Sequence, residues 1–178
     1  MTDTSYDPVC YAFDAAKREF QAQLKDPDLY DEILKTTTID QVYDFTDRLQ
    51  EEQAKNGHLR HLAKIEPYLE GLREYAKVIE VFAQVSPDIL CLIWGPIKLL
   101  LQWSSALKKS FDEIILVTAA IGDILPQFKQ MARIFRSNES LKKLLVLFFK
   151  DILDFYHISF EFFTKKRKLY RLIIKSLG

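Results

Sequence analysis

Ser86-Pro87-Asp88-Ile89-Leu90-Cys91-Leu92-Ile93-Trp94-Gly95-Pro96-Ile97-Lys98-Leu99-Leu100-Leu101-Gln102-Trp103 is the stretch from which the architecture of this chain is read. It has the pattern of a single helix that is apolar around its whole circumference, and such a helix in a globular protein belongs at the centre of the core. The start is well marked. Ser86 suits the N-cap, Pro87 suits the first helical position, and Asp88 meets the positive end of the helix dipole. Gly95-Pro96 falls in the middle, where proline removes a backbone hydrogen bond and crowds the preceding turn, so a kink is expected there.

Working outward, the remaining apolar residues recur at helical spacing. Phe13, Ala16, Phe20 and Leu24 form one stripe between Pro8 and Lys25. Asp26-Pro27-Asp28 interrupts it, and a short helical turn is expected through Leu34. Thr38-Ile39-Asp40-Gln41 is a capping-box pattern opening a helix with Ile39, Val42, Phe45 and Leu49 on one face. Asn56-Gly57 reads as its left-handed stop. The next helix is expected from about His58 to Val85, with Ile65, Leu69, Leu72, Ala76, Ile79, Phe82 and Ala83 as its stripe and Pro67 starting or kinking it. Ser110-Phe111-Asp112-Glu113 is a second capping box, for a helix that Leu125-Pro126 bends or ends. A short helix over about 127–135 and a long one over about 139–175, capped by Ser137, complete the chain.

No segment alternates with a period of two, and 5 glycines with 6 prolines supply few turns for a sandwich or barrel. The expected fold is therefore all-α: a multi-helix bundle of about six helices around a buried central helix at about 87–107. A length of 178 residues is enough for one real core, so one helical domain is expected over 8–178 behind a flexible stretch at 1–7.

The formal charges cancel overall but not locally. Residues 1–57 carry 13 acidic and 6 basic side chains, whereas residues 136–178 carry 10 basic and 4 acidic. Lys165, Lys166, Arg167, Lys168, Arg171 and Lys175 follow one another with no acidic residue between them. Lys165, Lys166, Arg167, Lys168 and Arg171 are the candidate contacts to an anionic surface, although cations also suit a solvated helix C-terminus. The N-terminus lacks the basic and apolar regions of a signal peptide, and Ile89–Leu101 is too short to suggest a membrane span. Two cysteines, Cys10 and Cys91, make no disulfide framework, which suits a reduced compartment.

Catalytic and cofactor chemistry leaves little trace. No glycine stands in a phosphate-binding loop, and Gly95-Pro96-Ile97-Lys98 lies inside a helix, where it cannot cradle phosphate. His58 and His61 share a helical face, but a metal site needs a further ligand, for which Glu66 or Asp47 is only a guess. His157 stands among aromatics and reads as a packing residue. Glu51-Glu52 and Asp151 with Asp154 sit on polar helix faces. No catalytic, cofactor-binding or metal site is assigned, and an enzyme is not expected. Trp94 and Trp103, nine residues apart, project to opposite faces of the central helix, and both read as core or half-buried. Phe148, Phe149, Phe155, Phe160, Phe162 and Phe163 occupy more than one face of the last helix, which implies burial on several sides or an interaction surface.

The runs Glu80-Val81-Phe82-Ala83-Gln84-Val85-Ser86-Pro87-Asp88-Ile89-Leu90 and Trp94-Gly95-Pro96-Ile97-Lys98-Leu99-Leu100, with Ile121-Gly122-Asp123-Ile124-Leu125-Pro126-Gln127-Phe128 and Asp151-Ile152-Leu153-Asp154-Phe155-Tyr156, carry a family resemblance. The chain resembles, from about Phe13 to Phe163, the helical domain at the N-terminus of fungal NLR-like proteins of the STAND class. In those proteins it precedes a NACHT-type nucleotide-binding domain, often followed by ankyrin or other repeats. The resemblance implies a non-catalytic, cytoplasmic signalling or effector domain used in non-self recognition or regulated cell death. Trp94, Gly95, Pro96 and Lys98 form its motif. Implied partners are proteins or further copies of the chain. An anionic membrane is the alternative, as for the neighbouring HeLo-like bundles, although residues 1–12 lack the apolar helix expected for that action. Nucleic acid is not expected as a partner, and nucleotide enters only through a NACHT domain expected downstream of Gly178.

Overall fold

The computed structural model describes residues 7–55, 62–105, 108–125 and 138–176, the side chains of 82, 104, 105, 108–111, 139 and 166–176 excepted. Among the described residues the fold is all-α, with seven α-helices, one 3-10 turn and no strand. The helices are α1 (Pro8–Leu24), α2 (Pro27–Leu34), α3 (Asp40–Lys55), α4 (Glu66–Ala83), α5 (Pro87–Ser105), α6 (Lys108–Ile124) and α7 (Glu139–Ser176), with the 3-10 turn Leu62–Ile65 ahead of α4.

Local chemistry sets most of the boundaries. The Asp7 side chain accepts from the Val9 N–H at 2.9 Å, and Pro8 follows at the first helical position. Asp26 repeats the arrangement for α2, accepting from Leu29 N–H at 3.1 Å ahead of Pro27. Between the two helices Lys25 takes up a left-handed conformation, φ 55°, which ends α1 and turns the chain. Ahead of α3, Gln41 Oε1 accepts from the Thr37 N–H at 2.8 Å and the Thr38 N–H at 3.3 Å, the half of the capping box that reaches backwards.

Three boundaries differ from the sequence reading. The helix expected from His58 begins at Glu66, because Pro67 in the first turn is an initiator rather than a kink. α6 begins at Lys108, so Ser110 lies within the helix and does not cap it. The cap of α7 is Asn138, whose Oδ1 accepts from Ser140 N–H at 3.0 Å and Leu141 N–H at 3.3 Å. Asparagine is as good a cap as serine and stands one residue closer. The expected stop at Asn56-Gly57, the helix over 127–135, Ser137 and residues 1–6 of the flexible stretch lie outside the described residues.

α5 packs against every other α-helix among the described residues, which is the physical reason it has no polar face. Cys91 through Ile97 and Leu99 through Leu101 are all buried. α1, α2, α3 and α4 cover it from the chain that precedes it, and α6 and α7 from the chain that follows. α7 lies against α1, α4 and α5, so its phenylalanines other than Phe162 are buried or half-buried on more than one side. Phe149 meets Phe13 of α1 (ring centroids 5.2 Å apart), Phe148 meets Tyr75 of α4 (4.8 Å), and Phe160 meets Trp103 of α5 (5.2 Å).

Candidate functional site

The motif residues of α5 sit where helices cross. Trp94 is 4 % exposed and belongs to the main hydrophobic cluster. Gly95 faces α2: a Cβ there would stand 2.2 Å from the Ile33 carbonyl oxygen and 2.8 Å from its carbonyl carbon. Glycine is thus the residue that lets the last turn of α2 lie directly on the middle of α5. Lys98, four residues beyond Trp94, is half-buried. These residues sit where helices are positioned against one another.

Pro96 lies inside a continuous helix. It has no N–H for the carbonyl of Leu92, and its ring crowds the preceding turn. The adjoining Ile93 carbonyl is held from outside α5, because the Tyr156 hydroxyl of α7 donates to it at 2.9 Å. The Tyr68 hydroxyl of α4 donates in turn to the Tyr156 oxygen at 3.2 Å. Both phenols are fully buried, and burial pushes them well above the ordinary tyrosine range, so they stay protonated and able to donate. Three helices therefore meet through two hydroxyls at the proline defect. Tyr156→Phe leaves the Ile93 carbonyl without this donor and Tyr68 without its acceptor, an expected loss of about 1–3 kcal/mol. Tyr68→Phe keeps the bond to Ile93 and should cost less. Urea unfolding midpoints of the two variants check the order.

The N-terminus of α5 is tied to α1. Lys17 Nζ lies 2.6 Å from Asp88 Oδ2, and this hydrogen bond raises the Lys17 pKa and lowers that of Asp88. Asp88 also occupies the first turn of α5, where the dipole favours its charge. Cys91 is buried and Cys10 half-buried, and burial raises both thiols. Neither has the lowered pKa of an activated nucleophile.

The surface carries the remaining candidates. Lys165 is highly exposed and lies 3.6 Å from Glu161, one helical turn back. Lys166, Arg167, Lys168 and Arg171 belong to α7, but their side chains lie outside the described residues. His58 and His61 lie outside them too, while Asp47 and Glu66 line one shallow hollow of about 190 Å³. Among the described residues no group of three or more His, Cys, Asp or Glu could hold a metal ion. No helix among them is long and apolar enough to cross a membrane.

One feature was read from the sequence only in part, through Phe162, and a second was not read at all. Leu144, Leu147, Ile158 and Phe162 are exposed along the outer face of α7, and Leu116, Val117 and Ile124 along that of α6. A groove of about 350 Å³ lies where the α1–α2 turn approaches Trp103 and α7. Periodicity gives the first feature a weak signal, as apolar residues in surplus over one stripe. The groove has none, because it joins segments far apart in the chain.

A family model described as a domain of unknown function (DUF7708) matches residues 61–177. The match begins beside the 3-10 turn and takes in α4, the Trp-Gly-Pro helix α5, α6 and all of α7. No curated protein and no solved structure matches the chain.

Proposed function

The chain belongs to the DUF7708 family, and from that premise we propose that it is a non-catalytic signalling or effector domain of a fungal NLR-like receptor of the STAND class. It acts in the cytoplasm ahead of a NACHT-type NTPase domain, in non-self recognition or regulated cell death. Its contacts are helix to helix, with partner proteins or with further copies of itself. Nucleotide reaches it only through the NACHT domain, and nucleic acid is not a partner. The Trp94-Gly95-Pro96-Ile97-Lys98 resemblance motivates this reading. The observation that carries it is the exposure of two apolar pairs on one long helix, Leu144 with Leu147 and Ile158 with Phe162, all at least 41 % exposed and separated by the exposed Asp151 and Asp154. Apolar side chains repeated along the outside of a helix suit a partner helix laid against it.

The second reading is a HeLo-like bundle that perturbs anionic membranes when oligomerised. It is favoured by Lys165, exposed beside Phe162 on α7, since a cation next to an apolar side chain suits an anionic lipid surface.

One experiment separates the readings. The full chain is fused to an inducible dimeriser and expressed in a fungal host, with liposome flotation of the same protein alongside. Dimerisation should trigger growth arrest, and Leu147→Asp with Ile158→Asp should abolish it while leaving the circular dichroism unchanged. Flotation should be absent on neutral and anionic vesicles alike. Arrest that survives the double substitution, or no arrest at all, overturns the contact reading. Flotation and dye leakage confined to anionic vesicles would establish the membrane reading in its place.

A further inference from the structure

The outer face of α6 is apolar, exposed and bordered by charge of one sign. Leu116, Val117 and Ile124 are 58, 46 and 80 % exposed, and Ala120 lies exposed between them. At this helical spacing the four form one stripe. The charged residues over 112–125 are Asp112, Glu113 and Asp123, all exposed and all acidic. The first half of the outer face of α7 is the counterpart. Leu144 and Leu147 are 52 and 55 % exposed, and the charged residues over 140–150 are Lys142, Lys143 and Lys150, all basic. The second half, around Ile158 and Phe162, sets Asp151, Asp154 and Glu161 against Lys165 and offers α6 no such match.

The positions of the charges also fix a direction. With about 3.6 residues per turn, Asp112 and Asp123 lie about 85° to one side of the α6 stripe, and Lys143 and Lys150 about 80° to the same side of the α7 leucines. Edges on the same rotational side meet when two facing helices run antiparallel, and lie apart when they run parallel. Antiparallel docking of the two apolar stripes sets Asp123 beside Lys143 and Asp112 towards Lys150. Lys150 also lies 3.7 Å from Glu19 of α1, an exposed pair of the weak kind, so Asp123 with Lys143 carries most of the complementarity. Docking α6 on α6 would set acid against acid, and α7 on α7 base against base. We propose that α6 of one copy docks antiparallel on the first half of α7 of a second copy. The contact joins unlike surfaces, so each copy keeps one of them unspent, and assembly closes as a ring or extends. The proposal rests on the reading of α7 as a helix-contact surface and names the helix it receives.

The test is sedimentation velocity of the full chain over a concentration series, with two surface variants checked for unchanged circular dichroism. One carries Leu116→Asp with Ile124→Asp on α6, the other Leu144→Asp with Leu147→Asp on α7. The parent should self-associate and each variant alone should stay monomeric. An equimolar mixture of the two should give dimers and nothing larger, because each supplies the surface that the other lacks. Asp123→Lys in the parent should weaken association about tenfold, and adding Lys143→Asp to the same chain should restore it. Self-association of either variant alone, a mixture that stays monomeric, or a charge reversal that the second reversal does not rescue would each overturn the proposal. A parent that is monomeric throughout overturns it too, yet leaves α7 open to a partner protein, which the growth-arrest experiment reads separately.

Discussion

Gly95→Ala is expected to destabilise the chain by roughly 2–4 kcal/mol, although alanine is the better helix former. The propensity gain at a mid-helix glycine is about 1 kcal/mol. Against it stands a steric conflict that cannot be relieved by turning a side chain. The added Cβ would meet the Ile33 carbonyl oxygen at 2.2 Å, and that oxygen is backbone in the final turn of α2. It already accepts from the N–H groups of Lys35 and Thr36, so moving it away strains the end of α2 as well. For a domain of this size the melting temperature should fall by about 4–16 °C, read by thermal circular dichroism. Gly71→Ala is the control. Its Cβ would also make a close contact, 2.4 Å, but with Leu125 Cδ1, the free end of a flexible side chain. The Gly71 variant should lie within about 1 kcal/mol of the parent, where propensity and a small rotamer shift nearly cancel. Equal losses at the two glycines would refute the helix-crossing explanation of Gly95.

Trp94→Ala carries a comparable or larger penalty for a different reason. The indole is 4 % exposed inside the main cluster, on a helix touched from all sides. Removing it forfeits the transfer energy of a large aromatic and leaves a void that rigid neighbouring helices fill only in part. The expected loss is about 3–5 kcal/mol, a large fraction of the stability of an ordinary domain. It should appear as a lower urea midpoint with an unchanged slope. An unchanged midpoint would place Trp94 outside the packed core.

What could be read in advance follows the range of the forces involved. The starts of α1, α2 and α5 rest on contacts between near neighbours, so Pro8, Pro27 and Pro87 announce them. The circumference of α5 announced its burial for the same reason. Boundaries where two residues compete for one role were less legible, as Asn138 against Ser137 shows. Pro96 marked a defect in the sequence, but nothing local says which group attends to it. That group is Tyr156, on a helix that follows much later in the chain. Gly95 likewise gives no hint that it faces Ile33, since a missing side chain leaves no periodic trace. The resemblance pointed to Trp94, Gly95, Pro96 and Lys98 as a motif without saying what they do. The geometry gives Gly95 a helix crossing and sets Pro96 beside a carbonyl held by a tyrosine. The Trp103 groove was not legible at all. Its walls come from four helices, α1, α2, α5 and α7, that lie far apart in the chain.

The pairing of α1 with α7 has a bearing on biosynthesis. Phe13 and Phe149 touch, yet the ribosome makes the first of them long before the second. Until α7 emerges, the stripe of Val9, Phe13, Ala16 and Phe20 lacks its principal cover, while its contacts with α2 and α5 can form. Closing so distant a contact is slow in entropic terms, so docking of α1 on α7 belongs to the end of folding. Between the synthesis of α1 and that of α7 the nascent chain therefore presents an apolar helix, the kind of surface that chaperones capture.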